Sequence, residues 1–115
     1  MTVLLPLRTV SVTNLREHWS ARAVRAKSHR MIAKTEVVAA LRGSRRHDRV
    51  TTVTLTRLAP RALDGDNLQA ALKAVRDGVA DALKLSDGPD GPQWRYAQEQ
   101  QATYGVRIAV ESLEE

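Results

Sequence analysis

The sequence predicts a single α+β domain in which two helices pack on one face of a small mixed sheet. Runs of β-branched and aliphatic residues with alternating polarity are typical of strands. Four segments have this character: residues 3–12, 50–58, 93–100 and 104–113. Two segments between them, about 15–42 and about 67–85, carry apolar residues at helical spacing. The order is therefore β-α-β-α-β-β, and 115 residues are enough for one core but not for two, so residues 1–115 are one domain.

The first strand and the first helix each have a distinct signal. Pro6 within residues 3–12 indicates an edge strand or a bulge, because proline cannot donate to the ladder. Asn14 followed by Glu17 has the form of a capping box, and neither Pro nor Gly occurs from there to Arg42. We expect one apolar stripe with Trp19 in the core. Its members are Leu15, Trp19, Ala23, Ala26, Ala33, Val37 and Leu41.

The second half alternates shorter elements with turns. Val50–Leu58 is the clearest strand, and Pro60 ends it. The second helix buries an apolar face made of Leu68, Ala71, Leu72, Val75, Val79, Ala82 and Leu83. Residues 86–92 form a Gly- and Pro-rich loop. Trp94 and Tyr96 then share one strand face, where a core or dimer seam is favoured over base stacking.

The net charge of +5 hides an uneven distribution of charge. Residues 1–62 carry +10 and residues 63–115 carry −5. A basic half indicates a polyanionic partner, most often nucleic acid or an anionic membrane surface, although an arginine-rich solvated surface is the alternative. Cysteine is absent, which excludes disulfides and thiolate chemistry and fits a cytoplasmic protein. No run approaches the ~20 apolar residues of a membrane span. We expect DNA as the partner and no membrane.

Most of the basic residues fall on the first helix and the turn that follows it. We expect this surface to contact the phosphates of DNA, because six cations against one acid on the helix exceed what solubility requires. The candidate nucleic-acid-binding residues are Arg16, Arg22, Arg25, Lys27, Arg30, Lys34, Arg45 and Arg46.

An acidic turn precedes the second helix. Asp64 and Asp66 are separated only by Gly65, so their carboxylates can converge on one hard cation such as Mg²⁺. Asp87 is the candidate for a third ligand, with Asp90 as its competitor. Lys73 lies on the same helix face as Asp66 and is placed to neutralise phosphate charge. The alternative is ordinary turn and N-cap chemistry, which needs no metal.

The segment Asp64-Gly-Asp66-Asn67-Leu68, followed by Lys73 on the helix and Asp87 after it, resembles the RusA-type Holliday-junction resolvase family. Residues 11–14 before His18-Trp19 are similar to that family's entry into a basic first helix. The resemblance implies a homodimeric, Mg²⁺-dependent endonuclease that cuts branched DNA. On that basis Asp64, Asp66 and Asp87 are metal ligands, and these three with Lys73 are catalytic.

Two departures from the family pattern bear on catalysis. The family has its lysine four residues after the second aspartate, where this chain has Ala70. It also has adjacent aspartates after the helix, where Ser86 precedes Asp87 here. A non-catalytic nucleic-acid-binding module on the same fold is therefore the second hypothesis, and a dimeric structural or partner-binding protein is the third.

Overall fold

The protein is described here from a computed structural model, which covers residues 1–10, 19–42, 50–85 and 90–113. Two helices pack against a four-stranded mixed sheet, which confirms the predicted fold class and element order. The elements are β1 (Thr2–Leu5), α1 (Trp19–Leu41), β2 (Val50–Ala59), α2 (Gly65–Leu83), β3 (Gln93–Gln100) and β4 (Gly105–Ser112).

The sheet has the strand order β1-β4-β2-β3. The β1–β4 and β4–β2 pairs are antiparallel, whereas β2 and β3 run parallel because α2 forms the crossover between them. β2 is thus a central strand with partners on both edges. Leu55 shows this directly, since it lies opposite Ile108 of β4 and Tyr96 of β3.

The core lies between the helices and one face of the sheet. Alternate residues of each strand point to that face, and the apolar stripe of α2 covers them. The fully buried or nearly buried core side chains are Val3, Leu5, Leu7, Ala33, Val37, Val53, Leu55, Leu68, Leu72, Val75, Val79, Val106, Ile108 and Val110. Trp94 and Tyr96 are partly buried against this cluster, so the predicted shared face is confirmed.

β1 is shorter than the predicted strand at residues 3–12. It ends at Leu5, immediately before Pro6, and the amide of Leu7 donates instead to the carbonyl of Leu5 at 2.9 Å. Leu7 and Thr9 nevertheless remain buried, so the chain continues along the core without ladder bonds. Residues 11 and 12 lie outside the described residues.

The apolar stripe of α1 is only half correct. Ala33 and Val37 are fully buried, as predicted, but Ala23 and Ala26 are exposed. The prediction that Trp19 is a core residue is wrong, because 73% of its surface is exposed. In the first turns of α1, Arg22, Arg25 and Ala26 instead line an open groove beside α2. The predicted capping box at Asn14 lies outside the described residues.

The two helices approach each other closely around Gly78. A Cβ atom added there would overlap the carbonyl oxygen of Arg30 and lie 2.8 Å from the Cβ of Ala33. A bidentate ion pair joins the two helices near this contact, with Nε and Nη2 of Arg30 donating to Asp81 at 2.7 and 2.9 Å. Glycine therefore sets the distance between α1 and α2. In the part of the chain that the structure describes, neither helix is apolar enough over its length to cross a membrane.

Candidate metal and nucleic-acid site

Two polar side chains of the sheet hold the turn that joins β2 to α2 by hydrogen bonds to its backbone. Gln98 of β3 accepts from the amide of Leu63 at 2.9 Å and donates to its carbonyl at 2.6 Å. Arg57 of β2 donates through Nη1 to the carbonyl of Arg61 at 2.6 Å. The backbone that leads into Asp64 is thus held at two points, which gives the acidic turn a defined position at the end of the sheet.

The sequence analysis did not identify Arg57 and Gln98 as residues that hold the turn, which we call the clamp residues, although the pattern of the strands contains a signal for them. Arg57 and Gln98 face each other across the β2–β3 pair, two residues beyond Leu55 and Tyr96 respectively. They therefore occupy positions on the core face where alternation predicts apolar residues. Polar residues at such positions need partners, and here the partners are the backbone groups of the turn.

Asp64 is the N-cap of α2. Its backbone is extended, with φ −72° and ψ 170°, and its Oδ1 accepts from the amide of Asn67 at 3.0 Å. Its carbonyl accepts the first helical bond, from the amide of Leu68 at 2.8 Å. The turn chemistry that the sequence left open is therefore observed for Asp64. A cap bond uses one carboxylate oxygen, so Asp64 still carries a second acceptor oxygen.

Asp66 and Lys73 lie along one stripe of α2. Residues 66, 70, 73 and 77 are spaced by four, three and four, which places them on one helix face. Lys73 donates to Asp77 at 3.1 Å and its side chain is 75% exposed. Since exposed pairs of this kind contribute little to stability, Asp77 holds Lys73 in place without making it structurally essential.

The donor set at the turn fits a hard divalent cation in part. Asp64 and Asp66 offer carboxylate oxygens, the ligand type that Mg²⁺ prefers, and both residues are exposed. Asp87, the third predicted ligand, lies outside the described residues, whereas its competitor Asp90 is described and exposed. Among residues 1–10, 19–42, 50–85 and 90–113, no group of three or more His, Asp or Glu side chains is arranged to hold a metal. Asp64 and Asp66 are therefore a partial ligand set, which water or a ligand outside the described residues, such as the predicted Asp87, would complete.

A groove runs along α2, starting one helical turn after Asp66. Its first part is a cavity of about 320 Å³ between α1 and α2. Its second part, of about 430 Å³, lies between α2 and β3 and shares Ala70, Lys73 and Asp77 with the first. Among the described residues, four cationic ones line the two parts together: Arg22, Arg25, Lys73 and Arg76. The described lining has a single acidic residue, Asp77, so this part of the groove is basic.

The basic residues of α1 divide between different surfaces. Arg22 and Arg25 line the groove, and Arg30 pairs with Asp81. Lys27 and Lys34 are exposed, and Lys34 borders a shallow apolar depression with Met31 and Val38 on α1. The predicted contacts Arg16, Arg45 and Arg46 lie outside the described residues.

His29 is the titratable imidazole of the groove. Partial burial lowers the pKa of His29 below its ordinary value of 6.5, and the nearby guanidinium of Arg25 lowers it further. The neutral imidazole is therefore favoured at neutral pH, and acidification adds a positive charge to the groove.

Arg76 connects α2 to the aromatic residues of β3. Its guanidinium lies 4.6 Å from the centre of the Trp94 ring, and its Nη1 donates to the hydroxyl of Tyr96 at 2.8 Å. Tyr96 in turn lines the second part of the groove. The contact with Trp94 and the bond to Tyr96 thus hold the Arg76 guanidinium against β3, where Arg76 lines the second part of the groove.

Comparison with known proteins adds no relative to this description. No protein-family model matches the sequence, and a search of curated proteins returns no significant match.

Proposed function

We propose that the protein is a divalent-metal-dependent endonuclease acting on branched DNA, as its resemblance to the RusA-type resolvases implies. One observation supports this most directly: a basic groove lined by Arg22, Arg25 and Lys73 starts one helical turn from the Asp64–Asp66 turn. A strand bound in that groove would present its phosphates next to carboxylates suited to a metal ion.

Each side chain has a separate role in the proposed reaction. Arg22 and Arg25 hold the phosphodiester backbone, because guanidinium groups bind phosphate oxygens in a planar, bidentate way. Asp64 and Asp66 would hold Mg²⁺, which when bound polarises the phosphate and lowers the pKa of water. Lys73 leaves Asp77 and moves to the phosphate, where it stabilises the negative charge that develops during hydrolysis.

A non-catalytic nucleic-acid-binding module is the second candidate. The observation that favours it is the cap bond of Asp64, which accounts for this aspartate without any metal. Under this alternative Asp66 and Lys73 are solvated helix residues, and the groove binds DNA without cutting it.

Cleavage of a synthetic four-way junction, compared with a duplex of the same sequence, separates the two candidates. The endonuclease proposal predicts nicking with Mg²⁺ and none with EDTA, and cleavage at least 100-fold slower in Asp66→Asn with junction binding retained. Arg95→Gln on β3 is the matched control, since Arg95 is exposed and lies outside the groove. Binding without cleavage under any divalent ion would favour the second candidate, and full activity of Asp66→Asn would refute this assignment of the site.

The resemblance extends the proposal to a homodimer, and the absence of cysteine supports a cytoplasmic location. Analytical ultracentrifugation over a range of concentrations tests the assembly, and cell fractionation tests the compartment. A monomer that nicks only one strand of the junction would contradict the dimeric form of the proposal.

A further inference from the structure

Arg57 is a buried cation on the core face of the sheet. Only 5% of its surface is exposed, and it lies between Val106 of β4 and Gln98 of β3. A guanidinium is always charged, so burying one is costly unless a carboxylate or another anion neutralises it.

The partners of Arg57 do not neutralise this charge. Its Nε donates to the hydroxyl of Thr9 at 2.9 Å, and its Nη1 donates to the carbonyl of Arg61 at 2.6 Å. Both acceptors are neutral, and among the described residues no acidic side chain pairs with Arg57. Burial lowers the pKa of Arg57, and Tyr104 partly opposes that change. A guanidinium has five N–H groups, so donors remain on Nη1 and Nη2.

Two further arginines lie at the same corner of the molecule. The guanidinium of Arg8, just after β1, stands 4.8 Å from the centre of the Tyr104 ring, and Tyr104 directly precedes β4. Arg61 follows β2, and its carbonyl is the group that Arg57 holds. Arg8 and Arg61 are exposed, and neither is in an ion pair with an acid of the described segments. We call Arg8, Arg57, Arg61 and Tyr104 the arginine corner.

We propose that the arginine corner binds a phosphate group of a nucleic-acid strand, at a site separate from the α1–α2 groove. None of these three arginines is paired with a carboxylate of the described residues, and guanidinium groups bind phosphate oxygens in a planar, bidentate way. The corner lies at the base of the turn that carries Asp64, three residues after Arg61. A strand anchored here is therefore directed towards the acidic turn. Phosphate as such follows from the corner alone, whereas its nucleic-acid source rests on the proposed function.

A direct test follows the Nε–Hε signal of Arg57 by ¹⁵N NMR. The bond to Thr9 and the burial of the side chain protect this proton from exchange. Sodium orthophosphate is titrated against sodium chloride at matched ionic strength, with Arg107, which pairs with Glu99, as the internal control. The proposal predicts a saturable shift of Arg57 with phosphate and none of Arg107. Equal responses to phosphate and chloride, or none at Arg57, would overturn it and leave Arg57 as a clamp of the turn only.

A second test asks whether the bound phosphate belongs to DNA, by comparing junction binding of a variant with that of the parent. The double variant Arg8→Gln/Arg61→Gln removes two exposed charges and leaves Arg57 and the core intact. We expect about tenfold weaker binding of a four-way junction and a salt dependence, log Kd against log salt, shallower by about one unit for one lost phosphate contact. Arg95→Gln is the control and should match the parent within twofold.

The two proposals fail in distinguishable ways. If the parent binds the junction and the double variant binds it equally well, with the same salt dependence, the corner is not a nucleic-acid contact although the proposed function stands. If the parent binds no nucleic acid but orthophosphate shifts Arg57 saturably, the proposed function fails and the phosphate site remains. Absence of both responses refutes both proposals.

Discussion

Replacing Gly78 by alanine tests the close contact between the two helices, because the contact decides whether the substitution raises or lowers the free energy of unfolding. In an exposed helix position, alanine in place of glycine stabilises by about 1 kcal/mol, because glycine loses more backbone entropy on folding. Gly78 is buried, however, and the added methyl would meet the carbonyl oxygen of Arg30 and the Cβ of Ala33. The substitution therefore sets helix propensity against overpacking.

The structure indicates that overpacking has the larger effect. The new Cβ would lie 2.8 Å from the Cβ of Ala33, whereas carbon atoms prefer separations of about 3.5–4.0 Å. The opposing carbonyl belongs to a helix backbone and cannot rotate away, so α1 and α2 must separate by about 1 Å. Overpacking of this kind costs up to about 3 kcal/mol, which leaves a net destabilisation of about 2 kcal/mol after the gain in propensity.

Urea denaturation followed by circular dichroism measures this difference, with a Tm lowered by about 8 °C as an independent readout. Ala70→Gly is the matched control, because Ala70 is exposed on the same helix and should lose about 1 kcal/mol through propensity alone. A Gly78→Ala protein that is more stable than the parent would show that the helices are not in close contact and would refute the packing described above. The wider helix spacing should also weaken DNA binding in the groove.

Three further perturbations test the site. Asp64→Ala should lower the free energy of unfolding by about 1 kcal/mol through loss of the cap, whereas Asp64→Asn should keep most of that stability and lose Mg²⁺-dependent cleavage. Cleavage retained in Asp64→Asn would assign Asp64 to capping alone. Gln98→Ala removes both hydrogen bonds to Leu63 of the turn and should lower the free energy of unfolding by about 1–3 kcal/mol. Gln100→Ala is the control and should change stability little, because its one bond to the turn is long at 3.4 Å. Similar urea midpoints for the two variants would show that Gln98 does not hold the turn. Because the pKa of His29 is lowered in the folded state, the contribution of its neutral form to stability should be fully present above about pH 6.5 and decline as the pH falls below that value. His29→Gln should therefore make the urea midpoint depend less on pH between pH 7.5 and 5. An unchanged pH dependence would refute the burial of the imidazole.

The sequence predicted the strands of the second half well, because their alternation reflects burial on one face. β2, β3 and β4 begin and end within one residue of the predicted bounds. α2 was predicted for the same reason, although its start moved to Gly65 because Asp64 is the cap residue. Local pattern and tertiary burial agree in these elements.

The remaining differences depend on long-range packing that a local pattern does not contain. Trp19 continues the periodicity of Ala33 and Val37, yet only the second half of α1 lies over the sheet. Arg57 and Gln98 were missed because their partners are backbone groups brought close only by the tertiary fold. Spacing predicted Asp64 and Asp66 as a pair because only Gly65 separates them, whereas a third carboxylate comes from another segment and depends on tertiary contacts that local spacing does not contain.

The strand order also has a consequence for the nascent chain. β2 occupies the centre of the sheet, yet both of its neighbours, β4 and β3, follow it in the sequence. During synthesis β2 therefore leaves the ribosome with two unpaired edges and an apolar face, the condition in which strands associate wrongly. β1 stays unpaired for even longer during synthesis, since Val3 pairs with Ile108, near the other end of the chain. We expect expression at low temperature or with a chaperone that shields exposed strands to raise the yield of folded protein more than any change in the helices.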